Sequence, residues 1–123
     1  MNLRVLLAED DSTMRGLLQT LLEIEGYEVK ISDARGADIF ELLRAFKPQF
    51  LILDYHLGNI KGIEILNELK IESNIHRPFI LVTSGEDRRD QCLAAGADGF
   101  IIKPYMPDIL ISWLREREGS VDQ

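Results

Sequence analysis

The chain has 123 residues, of which 46% are hydrophobic and 28% charged, and its formal net charge is -7. This length suits one domain with a real hydrophobic core, and the acidity argues against a nucleic-acid-binding surface, which needs a basic patch. No apolar run approaches the roughly 20 residues that span a bilayer. The single cysteine, Cys92, excludes an internal disulfide within these residues. Because residues 1–4 lead straight into a predicted strand, we expect no signal peptide. We therefore expect a cytoplasmic protein.

Apolar and amphipathic blocks alternate along the first half of the chain. Strands are predicted at residues 3–8, 27–32 and 50–53, the last as a continuous apolar run of the kind buried on both faces. The first helix is predicted from apolar residues at helical spacing, with an N-cap at Asp11 or Ser12 and a stop at Gly26. A second helix over residues 37–46 ends at Lys47-Pro48, because the residue before a proline disfavours helical geometry.

The second half repeats this alternation after a predicted loop at residues 55–61. Helices are expected at residues 63–71 and 88–95, the latter stopped by Gly96, and strands at residues 79–82 and 99–102. The last helix is predicted from an apolar stripe of Ile109, Leu110, Trp113 and Leu114. Ile111 falls off that stripe and is interpreted as a single exposed apolar residue rather than a partner contact. Residues 116–123 are polar and are expected to fray.

Five strand–helix units in strict alternation predict an α/β fold with a parallel sheet covered by helices on both faces. Right-handed crossovers leave few topologies. We predict a (βα)5 doubly wound sheet of strand order 2-1-3-4-5, in which strands 1 and 3 are neighbours at the switch point. Such folds bind ligands beside that point, at the carboxyl ends of the strands.

Polar side chains follow four of the predicted strands at that edge. They are Glu9 and Asp10 after the first, Asp54 after the third, Thr83 and Ser84 after the fourth, and Lys103 after the fifth. Like charges about 4 Å apart repel by roughly 4 kcal/mol at an effective dielectric near 20, so three carboxylates need a cation or a shared proton. Oxygen-only ligands favour Mg²⁺. The alternative is that residues 9–11 only cap the first helix, which we expect of Asp11.

A carboxylate beside a metal can act as a nucleophile and form an aspartyl phosphate. Asp54 is the candidate for this role. Lys103 would supply a second positive charge to the phosphoryl group, and the hydroxyl of Thr83 or Ser84 would donate to one of its oxygens. Each residue alone is a weak signal, and their occurrence at successive strand ends makes the pattern specific.

These motifs closely resemble those of the receiver domains of two-component response regulators, over about the whole chain. The matching residues are the acidic pair in the segment 6–11, Asp54 with Gly62 downstream, Thr83, Lys103-Pro104, and the segment 94–100. The resemblance implies a flavodoxin-like receiver fold, similar to the single receivers of chemotaxis. We assign residues 1–119 to this domain and residues 120–123 to a polar tail.

By this resemblance Asp54 accepts a phosphoryl group from a phosphohistidine on a sensor histidine kinase or histidine phosphotransfer protein. Asp10, Asp54 and the backbone carbonyl of His56 would ligate Mg²⁺, with Glu9 acting through water. Lys103 would contact the phosphoryl group. The resemblance also implies a switch made by Thr83 and Phe100.

The switch would change the surface of the fourth helix, fifth strand and fifth helix for a downstream protein, an output domain or a homodimer. This would be a signalling module with self-directed phosphotransfer and autodephosphorylation only, not a turnover enzyme. No contact of this domain with nucleic acid or membrane is expected.

Two positions depart from the commonest family pattern. Gly58 stands where a proline is usual, so the loop is expected to be more mobile, and Phe100 lacks the hydroxyl that some members carry. Of the remaining reactive side chains, Cys92 is predicted to pack in the core, while His76 is assigned no role. His56 is not favoured as a transition-metal ligand or as a phosphohistidine donor.

Three other functions fit the sequence less well. A phosphatase of the haloacid-dehalogenase type needs a second acid where this chain has His56. A flavodoxin-like nucleotide or flavin binder needs a Gly/Ser/Thr-rich loop after the first strand, where acids stand instead. A receiver that works without phosphorylation would lack Asp10, Asp54 or Lys103, and all three are present.

Overall fold

The fold is built on a five-stranded parallel sheet, seen in a computed structural model that describes residues 2–32 and 36–121. Its strands are β1 (Arg4–Ala8), β2 (Glu28–Ser32), β3 (Phe50–Asp54), β4 (Phe79–Ser84) and β5 (Gly99–Ile102). The strand order is β2-β1-β3-β4-β5, with every pair parallel. The predicted order is confirmed, and β1 and β3 are neighbours at the switch point.

Five helices alternate with these strands. They are α1 (Ser12–Ile24), α2 (Gly36–Phe46), α3 (Gly62–Ile71), α4 (Arg89–Ala94) and α5 (Pro107–Arg117). The carboxylate of Asp11 accepts hydrogen bonds from the backbone N–H groups of Thr13 and Met14, which confirms its role as the N-cap of α1. The predicted ends therefore agree with the structure to within a residue or two.

The two faces of the sheet bury separate apolar clusters. Alternate residues of β3 point to opposite sides, so Leu51 and Leu53 pack under α2, α3 and α4, whereas Phe50 and Ile52 pack under α1 and α5. Every residue of β3 is buried. Each fully buried side chain of this kind contributes about 1.5–3 kcal/mol. With both faces covered, polar chemistry is left to the strand ends.

The buried face of α5 differs from the prediction. Leu110 and Leu114 are fully buried, but Ile109 is 51% exposed. Ile111 and Trp113 pack against the apolar cluster that lies under α1 and α5. At 3.6 residues per turn, Ile111 and Trp113 each lie about 80° from the centre of this face and Ile109 about 120° from it. The expectation of a buried Ile109 and an exposed Ile111 was wrong, because the face centres on 110 and 114.

The polar segment after α5 is also more ordered than predicted. Residues 116 and 117 continue α5, and Glu118–Ser120 form a 3₁₀ turn. The Tyr27 hydroxyl donates a hydrogen bond to the Glu118 carboxylate at 2.8 Å. Val121 packs on the apolar cluster under α1 and α5. Fraying is therefore the wrong description up to Val121, because a buried tyrosine and an apolar residue hold this segment. Residues 122 and 123 lie outside the described part.

The segment predicted as a mobile loop after Asp54 forms a small antiparallel ribbon. Its strands are His56–Leu57 and Ile60–Lys61, and Leu57 is fully buried. Gly58 has φ of 58° at the first position of the two-residue turn, a conformation that favours glycine. Glycine here permits a tight turn.

In the described residues we find no helix that is both long and apolar enough to cross a membrane.

Candidate functional site

The buried polar residues of the described chain all lie at the carboxyl end of the sheet. They are Glu9, Ser32, Asp54, Thr83 and Ser84. Parallel strands bring their carboxyl ends to one edge, and the register sets Asp54 directly beside Thr83. Burying polar groups is unfavourable unless they are paired. The sheet thus concentrates this cost at the edge where the sequence predicts a site.

Lys103 joins the two buried carboxylates of this edge. Its Nζ lies 3.1 Å from Oδ2 of Asp54 and 3.2 Å from Oε1 of Glu9. The side chain of Asp54 is 8% exposed and that of Glu9 is 2% exposed, whereas that of Lys103 is 25% exposed. The amine is thus open to solvent on one side, and the predicted meeting of Glu9, Asp54 and Lys103 is observed.

The protonation of this cluster is shifted by burial and by its neighbours. Burial, together with the hydrogen bond and negative charge of Asp54, raises the pKa of Glu9 to about 7, against the opposing influence of the Asp11 N–H and Lys103. Burial works to lower the pKa of Lys103, but Asp54 and Glu9 outweigh it, and the net shift is upward. Near neutral pH, Glu9 is therefore partly protonated, and its carboxyl group shares Lys103 with Asp54.

Backbone hydrogen bonds hold the reactive groups in register. The N–H of His56 donates to Oδ1 of Asp54 at 3.3 Å, and the N–H of Asp11 donates to Oε2 of Glu9 at 3.2 Å. The N–H of Lys103 donates to the carbonyl of Ser84 at 2.8 Å. Each site side chain therefore stands directly on a strand end that the sheet fixes.

Asp10 does not join the carboxylate pair. Its side chain is exposed, while that of Glu9 turns inward and Asp11 caps α1. Within residues 2–32 and 36–121, no three His, Cys, Asp or Glu side chains are grouped so as to hold a metal ion. The structure thus brings together two of the three predicted acids, and Asp10 stands one residue away on the solvent side.

The predicted hydroxyl and aromatic residues differ in what they contact. Thr83 is buried beside Asp54, while the hydroxyl of Ser84 accepts a hydrogen bond from the N–H of Glu86 and so caps the following turn. Phe100 is only 4% exposed, with the guanidinium of Arg89 lying 5.6 Å from its ring centroid. Thr83 is thus the hydroxyl nearest the acid in register, and the ring of Phe100 already points inward.

The rim of the site carries several side-chain contacts that were not predicted. The imidazole Nε2 of His56 lies 3.6 Å from a Glu86 carboxylate oxygen, and Arg88 stacks on the ring of Tyr55. The hydroxyl of Tyr105 is buried without a partner in the described structure, and burial together with Glu9 and Asp54 raises its pKa. Proximity to Asp54 and Lys103 in the sequence was the signal that could have singled out Tyr55 and Tyr105.

The two remaining reactive side chains lie away from this edge. Cys92 is fully buried in the cluster under α2, α3 and α4, as its packing prediction requires. Burial raises the pKa of its thiol. His76 is exposed just before β4, at the amino end of the sheet. Neither side chain contributes to the acid cluster.

Comparison with known proteins gives a consistent result. The family model for the response regulator receiver domain matches residues 5–115. The chain is 32% identical over 122 residues to a protein named probable transcriptional regulator ycf27 from Porphyridium aerugineum, covering 98% of this chain and 50% of that protein. It is 29% identical to a DNA-binding response regulator MtrA of Mycobacterium tuberculosis, with 95% and 51% covered.

Solved structures agree at the level of the fold. A signal receiver domain from Bermanella marisrubri superposes with a TM-score of 0.86 at 27% identity, covering 94% of this chain and 98% of that one. The chemotaxis response regulator CheY4 of Vibrio cholerae gives 0.84 at 23% identity, covering 94% and 98%. The chain spans about half the length of the curated relatives it matches. It belongs to the response regulator receiver domain family, the phosphoacceptor modules of two-component signalling.

Proposed function

We propose that Asp54 is the phosphoacceptor of this receiver and takes its phosphoryl group from a phosphohistidine of a sensor histidine kinase or a histidine phosphotransfer protein. The observation that carries this proposal is the 3.1 Å contact between Oδ2 of Asp54 and Nζ of Lys103 at the carboxyl edge of the sheet. Asp54 is the buried acid that pairs with the lysine and is also the last residue of the central strand β3.

The proposed step is an in-line transfer between two nucleophiles. A carboxylate oxygen of Asp54 attacks phosphorus, the P–N bond to the donor imidazole breaks, and the imidazole leaves with the bonding electron pair and takes up a proton. The product is an aspartyl phosphate. Hydrolysis of this acyl phosphate by water returns Asp54 and inorganic phosphate, which is the only turnover we assign to the module.

Lys103 and Glu9 prepare Asp54 for this step. The ammonium of Lys103 is free to follow a phosphoryl oxygen, because its charge is a mobile point donor on a flexible stem. Its departure from Glu9 would leave that carboxylate unneutralised. Glu9 would then hold a proton, in keeping with its pKa of about 7, or face a second cation.

The donor set fits Mg²⁺ as the second cation. Two buried carboxylates share one lysine, the available ligands are all oxygen, and Asp10 stands exposed beside Glu9. Asp10, Asp54 and the backbone carbonyl of His56 would hold the ion, with Glu9 contributing through water. When bound, the ion neutralises charge on the transferred phosphoryl oxygens.

The signal would leave the site through Thr83 and Phe100. A phosphoryl group adds about -1.5 to -2 charges and three strong acceptors, and it would draw the Thr83 hydroxyl inward. The ring of Phe100 is already buried. Phosphorylation would therefore raise the population of this inward position relative to an outward one. The surface made by α4, β5 and α5 would then change its affinity for a downstream protein, an output domain or a second copy.

We assign the receiver to residues 1–119 and place it in the cytoplasm, where its phosphohistidine donors act. The MtrA relatives are named as DNA-binding regulators, but this chain carries a net charge of -7. Any DNA contact would therefore belong to a partner or an output domain rather than to this one.

The test is incubation with acetyl phosphate in the presence of Mg²⁺ or of a chelator, followed by intact mass and sizing. We expect a single phosphoryl adduct that requires Mg²⁺ and is lost in Asp54→Asn. A wild-type protein that forms no adduct would overturn the proposal. An adduct that forms equally well in the chelator would remove Mg²⁺ from it, and a change in size would report a phosphorylation-dependent homodimer.

A further inference from the structure

Helix α4 has little apolar anchorage of its own. It spans six residues, Arg89–Ala94, and Cys92 is the residue of this helix that is fully buried in the described structure. Leu93 on the same helix is 40% exposed. A helix of fewer than two turns is not stable by itself in water. Its position must therefore depend on contacts made at its ends.

Arg88, the residue that precedes α4, lies over the ring of Tyr55. Its Cζ is 4.4 Å from the ring centroid, and Nη1 is 3.5 Å from the Tyr55 hydroxyl oxygen. Nη2 pairs with the Glu86 carboxylate at 3.0 Å. Tyr55 is 1% exposed and follows Asp54 directly in the chain. The start of α4 is thus stacked on the residue next to the phosphoacceptor.

Arg89, the first residue of α4, makes a second stack on a different element. Its Cζ lies 5.6 Å from the ring centroid of Phe100 in β5. Arginine is attracted to the face of an aromatic ring, and the planar guanidinium makes this contact more directional than a lysine could. Two consecutive arginines therefore connect the start of α4 to two aromatic residues, Tyr55 next to Asp54 in the chain and Phe100 in β5.

We propose that Arg88 and Arg89, the arginine tether, are the positioning residues through which the state of Asp54 sets the position of α4. This rests on the proposed function of Asp54 and adds the route from that site to the helix. One arm of the tether follows Tyr55 and the other follows Phe100. Movement of either ring is transmitted to the start of α4, because both guanidinium groups leave from adjacent residues.

The backbone around Tyr55 makes this arm sensitive to Asp54. The N–H of Tyr55 donates to the carbonyl of Thr83 at 2.8 Å, and the N–H of His56 donates to Oδ1 of Asp54. A phosphoryl group on Asp54 competes for the His56 N–H and draws on Thr83, so it acts on both sides of Tyr55. The Nε of Arg88 is buried without an acceptor in the described structure. Because an unpaired buried donor is unfavourable, a shift that offers it an acceptor is favoured.

The test is hydrogen exchange measured by mass spectrometry on peptides covering residues 86–97, with and without acetyl phosphate and Mg²⁺, in parallel with intact mass. The variants are Arg88→Ala, Arg89→Ala and the conservative Arg88→Lys. Arg117→Ala is the matched control, since Arg117 stacks on Trp113 at 3.9 Å in α5, away from α4. We expect each alanine variant of the tether to speed exchange in α4 by about two- to tenfold before phosphorylation, as loss of an arginine–aromatic contact implies.

After acetyl phosphate, the tether variants should form the adduct to the same extent as wild type but lose at least half of the phosphorylation-dependent change in α4. Arg88→Lys should fall between wild type and Arg88→Ala, and Arg117→Ala should behave as wild type. The tether is overturned if the full change in α4 persists in both alanine variants, if Arg117→Ala loses it equally, or if wild type forms the adduct without any change in α4. If wild type forms no adduct, the proposed function fails by itself. The exchange rates before acetyl phosphate then still decide whether the arginines hold α4.

Discussion

The two ends of the sheet handle polar groups in opposite ways. At the amino end, the Arg4 guanidinium donates to the carbonyls of Phe46 and Lys47 at 2.8 and 2.7 Å, and the side-chain oxygen of Gln49 accepts from the Arg4 N–H at 2.6 Å. At the carboxyl end, two buried carboxylates share Lys103. Arg4 is thus satisfied by neutral acceptors, and an ion pair at this end, Arg77 with Asp98 at 3.2 Å, is balanced in charge. The carboxyl end instead keeps an excess of negative charge.

This difference assigns stability to one end and chemistry to the other. The amino-end contacts of Arg4 join β1, the end of α2 and the start of β3 through hydrogen bonds to uncharged oxygens. The carboxyl-end carboxylates are held together although they repel. They are therefore prepared for a ligand that brings positive charge or for a group that replaces the lysine contact. Substitutions at the two ends should accordingly alter different measurements.

The largest expected effect is that of Lys103→Ala on phosphotransfer. Removing the only ammonium that contacts Asp54 among the described residues takes away a preorganised charge from the transferred group, which typically costs about a hundredfold in rate. Adduct formation from acetyl phosphate should slow by this order. The exposed Lys61 is the matched control, and Lys61→Ala should leave the rate unchanged. Equal rates in wild type and Lys103→Ala would assign the lysine a purely structural role.

Glu9→Gln should change the pH dependence of stability. The pKa of Glu9 is raised from about 4.5 to about 7 in the folded protein. The folded state therefore binds the proton of Glu9 more tightly than the unfolded state does. This binding adds to the free energy of unfolding fully below about pH 4.5, and the addition is lost as the pH rises through about 7. Without Mg²⁺, wild type should lose roughly 2–3 kcal/mol relative to Glu9→Gln across this range.

The Glu9 prediction is measured by urea denaturation at several pH values, in a chelator. Glu28→Gln, on the exposed edge of β2, serves as the control for the loss of one negative charge. If the difference in free energy of unfolding between wild type and Glu9→Gln stays constant from pH 4.5 to 8, the raised pKa of Glu9 is contradicted. The excess of negative charge at the carboxyl end would then be contradicted as well.

Arg4→Ala should affect stability without affecting chemistry. The substitution removes two charge-assisted hydrogen bonds to the carbonyls of Phe46 and Lys47, and the partly exposed site suggests a loss of about 1–2 kcal/mol in the free energy of unfolding. The rate of adduct formation in the folded protein should equal that of wild type. A slower reaction in Arg4→Ala would show that the two ends are coupled, contrary to the division made above.

A loss of stability similar in size to that of Arg4→Ala is expected for Gly58→Ala in the ribbon beside the site. Gly58 has φ of 58°, and an L-residue in this conformation costs about 1–2 kcal/mol. Thermal or urea unfolding should detect this loss, while adduct formation continues, because Asp54 itself stands on β3. Gly16→Ala, a helical glycine with open space around its Cβ position, should instead be neutral or slightly stabilising.

The sequence predicted most of the fold because its signals are local and mutually consistent. Alternating apolar runs and 3.6-residue periodicity located all five strands and helices, and the buried run ending at Asp54 located the switch point. The buried face of α5 was mispredicted because its apolar stripe is wide. Around the helix axis, Ile109 and Ile111 differ by only about 40° in their angle from the centre of the face. The tail was mispredicted because polar residues can be held by a single buried partner, here Tyr27.

The site was predicted in its composition but not in its detailed pairing. Strand ends identified Glu9, Asp54 and Lys103, yet which of residues 9 and 10 turns inward depends on the turn geometry before α1 and is not written in the residue types. The stacks of Arg88 on Tyr55 and Arg89 on Phe100 join residues more than ten positions apart. Periodicity carries no information about such contacts, so only the structure could reveal them.

The central claim is that Asp54 carries the phosphoryl group, and reductive trapping tests it most directly. Borohydride converts an aspartyl phosphate to homoserine, which peptide mass spectrometry locates to a single residue. After treatment with acetyl phosphate and Mg²⁺, we predict homoserine at position 54 and none in Asp54→Asn. Trapping at residue 9 or 10 in wild type, or a stable adduct that borohydride does not reduce, would contradict the account.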